Sequence, residues 1–87
     1  MTIKTLKHIH RLLQDDVDHK TECHERNRKA WMLATDYLDE AKANGCAEDI
    51  RIGKEALHRA KEDYDYTYKL LQDAEDAMQD FETHDFR

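Results

Sequence analysis

Proline is missing from this chain of 87 residues, and glycine occurs only twice, at Gly45 and Gly53. Proline interrupts helices because it removes a backbone donor and clashes with the preceding turn, and glycine is common where a chain turns. Long stretches without either residue favour a few long helices over a sheet with many turns. The only strong break is the Asn44-Gly45 pair, which suits the left-handed end of a helix.

Cysteine is also scarce, since Cys23 and Cys46 are too few for a disulfide framework and lack the spacing of a zinc knuckle. No stretch approaches the ~20 apolar residues that a membrane span needs. The basic residues Lys4, Lys7 and Arg11 are not followed by the apolar segment of a signal peptide. We therefore expect a protein of the reducing cytoplasm that does not bind a membrane.

Positive charge is in deficit, with a formal net charge of −6. The deficit lies in one half of the chain: residues 1–44 contain 8 basic and 8 acidic residues, whereas residues 45–87 contain 6 and 12. Neutralising the phosphates of a nucleic acid requires a basic surface. The charge therefore argues against direct nucleic-acid binding.

Apolar residues recur in alternating steps of three and four, the spacing of a coiled-coil seam. In the second half the seam consists of Ile50, Gly53, Leu57, Ala60, Tyr64, Thr67, Leu71, Ala74, Met78 and Phe81. In the first half, where its middle is more polar, it consists of Ile3, Leu6, His10, Leu13, Val17, Lys20, His24, Asn27, Trp31, Ala34, Leu38 and Ala41. We predict an all-α, coiled-coil-like antiparallel hairpin: one domain over 1–87, with helix 1 at about 3–43, a turn at about 44–47 and helix 2 at about 48–84.

The position of the turn predicts how the two seams face each other, with opposed residue numbers that add up to about 91. Large side chains then face small ones, as where Leu38 meets Gly53. Such a close approach would offset the ~1 kcal/mol that glycine costs inside a helix. The alternative reason for Gly53 is a fray or a kink near the turn. The same register places His24 opposite Thr67, so the polar middle of the seam can form hydrogen bonds.

A second stripe of mostly apolar residues is expected on one side of the hairpin, and we call it the second apolar face. It consists of Ile9, Asp16, Cys23, Ala30 and Tyr37 on helix 1 and of Ala56, Asp63, Leu70 and Ala77 on helix 2. A lone hairpin covers one stripe per helix, so the second stripe predicts a further packing partner. Two hairpins would form a four-helix-bundle homodimer. The alternatives are a different protein as the packing partner and a monomer with bent or broken helices. The candidate dimer interface is Ile9, Cys23, Ala30, Tyr37, Ala56, Leu70 and Ala77.

Carboxylates cluster on the outside of helix 2, where Lys69 is the only lysine or arginine between Glu62 and Asp85. Tyr66 lies among them, an aromatic residue of the kind that stabilises interfaces. One interpretation of such a series of acidic residues is a solvent-exposed surface without a binding function. The functional interpretation is a protein-binding surface, which we call the acidic face. Its residues are Glu62, Asp65, Tyr66, Asp73, Asp76 and Asp80.

Six histidines suggest a metal site, but their spacing does not support one. Glu55 and His58 match the Glu-x-x-His fragment of di-iron bundles, yet both are predicted to point away from the seam and no second copy of the fragment occurs. His19 and Cys23 have the spacing of two ligands on one helix, which is too few for a site. No phosphate-binding loop, activated nucleophile or cofactor fingerprint is present. We expect no metal, no cofactor and no catalysis.

These observations predict a non-enzymatic interaction module that presents its acidic face to a protein partner and forms a homodimer. One alternative is a nucleic-acid mimic that inhibits a DNA- or RNA-binding enzyme, as small acidic proteins of phages and mobile elements do. The other is a structural module whose second apolar face recruits a larger subunit. Fold alone does not decide among these functions.

Overall fold

Two long α-helices make up the fold in the computed structural model, which describes residues 2–84. Helix α1 spans Ile3–Asn44, helix α2 spans Ala47–His84, and they pack side by side in opposite directions. The hairpin measures 64 × 14 × 13 Å. Its radius of gyration is 19.2 Å, against about 12 Å for a compact domain of this length. The predicted all-α antiparallel hairpin is confirmed.

Both ends of α1 have identifiable caps. At the N-terminus, the Thr2 hydroxyl accepts a hydrogen bond from the backbone N–H of Thr5 at 3.2 Å, which satisfies one of the unpaired donors of the first turn. At the C-terminus, Gly45 adopts φ +72°, and its N–H donates to the carbonyl of Ala41 at 3.0 Å. A positive φ is strained for residues with a Cβ, so glycine fits this position. The predicted left-handed end at Gly45 is confirmed.

The predicted seams form the interface between the two helices. Most of their members are buried or half-buried, and Ile3, at the open end, is 72% exposed. The buried residues among those described are Leu38, Ala41, Gly53, Thr67, Ala74 and Phe81. None of the described large side chains is fully buried. The hairpin therefore has a thin core, one stripe wide on each helix.

Near the turn, the two helices approach closely where Gly53 faces Leu38. A Cβ atom placed on Gly53 would lie 3.1 Å from both Cα and Cδ1 of Leu38 and 3.2 Å from its Cβ. These distances are shorter than ordinary van der Waals contact, and one of the atoms belongs to the backbone. Close packing against Leu38, not a kink, is thus the reason for glycine at this position.

The middle of the seam is polar and hydrogen-bonded. His24 Nδ1 lies 3.0 Å from the Thr67 hydroxyl, and the Asn27 amide donates to that hydroxyl at 3.2 Å and to the carbonyl of Asp63 at 3.1 Å. No buried side-chain nitrogen or oxygen atom among residues 2–84 lacks a partner. The predicted opposition of His24 and Thr67 is confirmed. Satisfied in this way, the polar groups avoid the roughly 1–3 kcal/mol that each would otherwise cost.

Aromatic rings flank this polar centre. The rings of His24 and Tyr64 lie 4.5 Å apart, and those of Trp31 and Tyr64 lie 4.9 Å apart. Towards the open end, His10 Nε2 lies 2.9 Å from Glu82 Oε1. The two helices therefore contact each other through aromatic rings at the centre of the seam and through a polar contact near the termini.

Candidate interaction surfaces

The acidic face runs along the outside of α2. All six of its residues are exposed, because they lie outside the seam. Glu62 Oε1 lies 2.9 Å from Nε2 of His58, one helical turn away. Within residues 2–84, Asp65, Asp73, Asp76 and Asp80 form no ion pair. This surface therefore carries four carboxylates that no basic side chain neutralises within the described part of the chain.

Tyr66 connects the acidic face with the second apolar face. Its side chain is 65% exposed. Together with Cys23 and Leu70 it lines a shallow depression of about 290 Å³ at the middle of the hairpin, whose remaining walls are His19, Lys20 and Thr67. The two predicted surfaces thus share an edge at Tyr66, and the acidic face is not a separate side of the molecule.

The candidate dimer-interface residues extend along the hairpin and are covered to different degrees. Ile9, Cys23 and Leu70 are half-buried. The others, Ala30, Tyr37, Ala56 and Ala77, are exposed. Tyr37 lies near the turn, and its pKa is raised, first because its hydroxyl is partly desolvated and second because the Asp49 carboxylate is close. One hairpin leaves this face largely open.

Three large apolar residues that the sequence interpretation passed over widen the second apolar face. Leu12, Leu33 and Ile52 are 55%, 70% and 40% exposed. Leu12 and Leu33 follow Ile9 and Ala30 by three positions, and helical residues three apart are surface neighbours. That spacing was a usable signal in the sequence. With them, the face becomes a broad stripe on both helices.

The residues of the two possible metal-binding motifs form polar contacts with neighbours on their own helix. Glu55 accepts from Arg51 at 3.1 Å, and both Glu55 and His58 are exposed, away from the seam as expected. His19 Nε2 and Cys23 Sγ lie 3.8 Å apart across one turn of α1. Within one copy of the described chain, no three histidine, cysteine or acidic residues are grouped so that they could hold a metal ion.

Neither helix contains, within residues 2–84, a segment apolar and long enough to cross a lipid bilayer. The fold and its surfaces define a two-helix coiled-coil hairpin with an acidic face and a broad apolar face. Comparisons with protein-family models, curated proteins and solved structures find no match to this chain.

Proposed function

We propose that this protein is a non-enzymatic interaction module that binds a protein partner through the acidic face of α2. The observation that carries the proposal is that Asp65, Asp73, Asp76 and Asp80 are exposed and form no ion pair within residues 2–84. Charges that are not neutralised internally keep an external field, which attracts an oppositely charged surface and increases the rate of association. The matching partner surface is basic.

An aromatic side chain within a charged surface strengthens this proposal. Charged groups at the rim of an interface contribute mainly to the rate and specificity of binding, whereas a few aromatic or arginine side chains supply most of the affinity. Tyr66 is 65% exposed beside the carboxylates. It is the residue of the acidic face best suited to fill a pocket on a partner.

A nucleic-acid-binding enzyme is the more specific candidate for that partner. Side chains three or four residues apart on a helix are roughly 5–6 Å from one another, which is comparable with the spacing of phosphates along a strand. Asp73, Asp76 and Asp80 follow one another by such steps on a helix of 38 residues. They could therefore occupy a basic groove that normally holds DNA or RNA, and the hairpin would act as an inhibitor.

We further propose that the hairpin pairs with a second copy through the second apolar face, giving a four-helix bundle. Its accessible surface is 6671 Å², whereas a folded monomer of this mass exposes about 5,400 Å². The excess exceeds the ~800 Å² that each partner buries in a standard interface. A larger subunit covering the same face, as in a structural module, is the alternative.

The proposed acidic interface is tested by charge reversal at Glu62, Asp65 and Asp76, each changed to Lys. These positions avoid the edge that the acidic face shares with the second apolar face. The matched control reverses three exposed acids on the outside of α1, giving the same net charge: Asp15→Lys, Glu22→Lys and Asp36→Lys. Circular dichroism should show that both variants remain helical.

The full-length parent and both variants are each used as bait in an extract of the host. Proteins that bind the parent and the control but not the acidic-face variant are then identified. The purified partner should bind the acidic-face variant at least ~10-fold more weakly than the control, a difference of about 1.4 kcal/mol. Binding should weaken as ionic strength rises, because exposed charges are screened. Equal binding by all three proteins would refute the acidic interface. If the partner binds DNA or RNA, competition by the hairpin distinguishes a mimic from another kind of interaction module.

A further inference from the structure

His19 and Cys23 lie side by side at the middle of α1, with Cys23 on the second apolar face. The distance between His19 Nε2 and Cys23 Sγ is 3.8 Å. In a tetrahedral zinc site, with Zn–N near 2.0–2.1 Å and Zn–S near 2.3 Å, a nitrogen and a sulfur ligand are about 3.6 Å apart. The two atoms are therefore already close to the spacing of ligands on one ion. A single copy supplies only these two, so a site requires two more ligands.

A second copy of the chain can supply them if the two-fold axis of the dimer passes between His19 and Cys23. When two copies of α1 pack in opposite directions, the numbers of facing residues add up to a constant. Two registers bring the middle of the face close to the axis. In one of them the constant is about 46, and Cys23 faces Cys23 of the second copy. In the other it is about 42, and Cys23 faces His19 of the second copy.

The charges on the face distinguish between these registers. With the constant near 42, Asp16 faces Arg26 of the second copy, and on α2 Asp63 faces Ala77 of the second copy. With the constant near 46, the corresponding pairing on α2 places Asp63 opposite Asp73, and like charges facing each other are unfavourable. Charge complementarity therefore favours the register in which the axis lies between His19 and Cys23.

The apolar residues are compatible with the same register. Ile9 faces Leu33 of the second copy, and Leu12 faces Ala30. At the level of the axis, Leu70 meets its own symmetry mate beside the depression that it lines with His19 and Cys23. The exposed surface of that depression is mainly apolar, and the second copy would cover it.

We propose that two copies of this protein bind one zinc-type divalent ion on their two-fold axis, through His19 Nε2 and Cys23 Sγ of each copy. Two imidazoles and two thiolates are a known tetrahedral ligand set for zinc. Two thiolates also neutralise the charge of a divalent ion, which lowers the cost of enclosing it among apolar side chains. This proposal rests on the homodimer of the proposed function, and the ion would stabilise that dimer at its centre.

The test uses the full-length protein, reduced, titrated with Co²⁺ as a spectroscopic probe and then with Zn²⁺ as competitor. We expect the absorption of a tetrahedral cobalt–thiolate complex, saturating at one ion per two chains and lost on adding zinc. His19→Ala and Cys23→Ser should each abolish it. The matched controls, His8→Ala and Cys46→Ser, change exposed residues of the same types away from the axis and should retain it.

Sedimentation of the same samples, with metal and with a chelator, separates the two proposals. A dimer that tightens at least ~10-fold with metal supports the site. A dimer that forms equally well with the chelator and gives no cobalt–thiolate absorption overturns the site and leaves the dimer standing. A chain that stays monomeric under both conditions overturns both proposals. One ion bound per monomer overturns the shared site alone.

The register has a test of its own. Arg26→Asp should weaken self-association, and adding Asp16→Arg in the same chain should restore it, because the swapped charges again face each other across the axis. Failure of the double variant to restore dimerisation would rule out this register and, with it, the shared site.

Discussion

Replacing Gly53 with leucine should destabilise the hairpin, because the two helices approach closely at this position. A Cβ atom there would already lie 3.1 Å from Cα and Cδ1 of Leu38. The Leu38 side chain can rotate away, but its Cα can move only if the helices separate. A leucine adds three further carbon atoms at the same point. Overpacking of this kind typically costs ~1–3 kcal/mol.

Alanine at Gly53 tests the balance of two opposing effects. Its Cβ meets the same contact with Leu38, yet alanine is favoured over glycine inside a helix by about 1 kcal/mol. We expect Gly53→Ala to lie near the parent in stability and Gly53→Leu to lie well below it. For a domain of this size each kcal/mol shifts the melting temperature by roughly 4–8 °C, so a cost of ~1–3 kcal/mol should make the leucine variant melt about 4–24 °C lower.

Thermal melts followed by circular dichroism at one fixed protein concentration are the appropriate measurement, because self-association makes melting temperatures depend on concentration. Gln72→Leu, which adds a leucine at an exposed neutral position of the same helix, is the control and should change the melting temperature little. If Gly53→Leu melts at or above the parent while the control does not, the close approach at Leu38 is not what requires glycine.

Three further outcomes follow from the same structure. Thr67→Val removes the hydroxyl shared by the polar centre, and should lower the free energy of unfolding by ~1–3 kcal/mol in denaturant titrations. Disulfide cross-linking of the metal-free dimer on mild oxidation should depend on Cys23 and not on Cys46 on non-reducing gels, because the turn that carries Cys46 lies roughly 35 Å from the proposed axis. A cross-link lost with Cys46→Ser but kept with Cys23→Ser would place the turns together. Glu82→Gln weakens only an exposed contact with His10 and should cost less than ~1 kcal/mol; a larger loss would mean that the open end depends on it.

The hairpin itself could be predicted because local and long-range signals agree. The Asn44-Gly45 pair marks the turn, and the alternating three- and four-residue steps mark the buried side of each helix. Together they determine the register, and the pairing of His24 with Thr67 follows from it at 3.0 Å. Consistent signals of this kind are what make a fold readable from one sequence.

The outer surfaces were harder to predict because exposure leaves no strict period in the sequence. Leu12 and Leu33 stand next to the second apolar face but outside the positions first assigned to it. Tyr66 was assigned to the acidic face, yet it also lines the depression beside Cys23. A side chain at the edge between two surfaces can belong to either one. Its position along its own helix does not show which surface it joins, because that depends on where the neighbouring helix lies.

The polar centre of the seam and the proposed metal site lie near the same level of the hairpin, and a physical reason connects them. A polar layer in a coiled coil specifies register at some cost in stability. Here the layer of His24, Asn27 and Thr67 interrupts a seam that is already thin. Cys23 and Leu70, near the same level, are half-buried, and a second hairpin would cover them. A shared ion at this level would hold two hairpins together beside the polar layer of each, while the apolar ends of the second apolar face would align them.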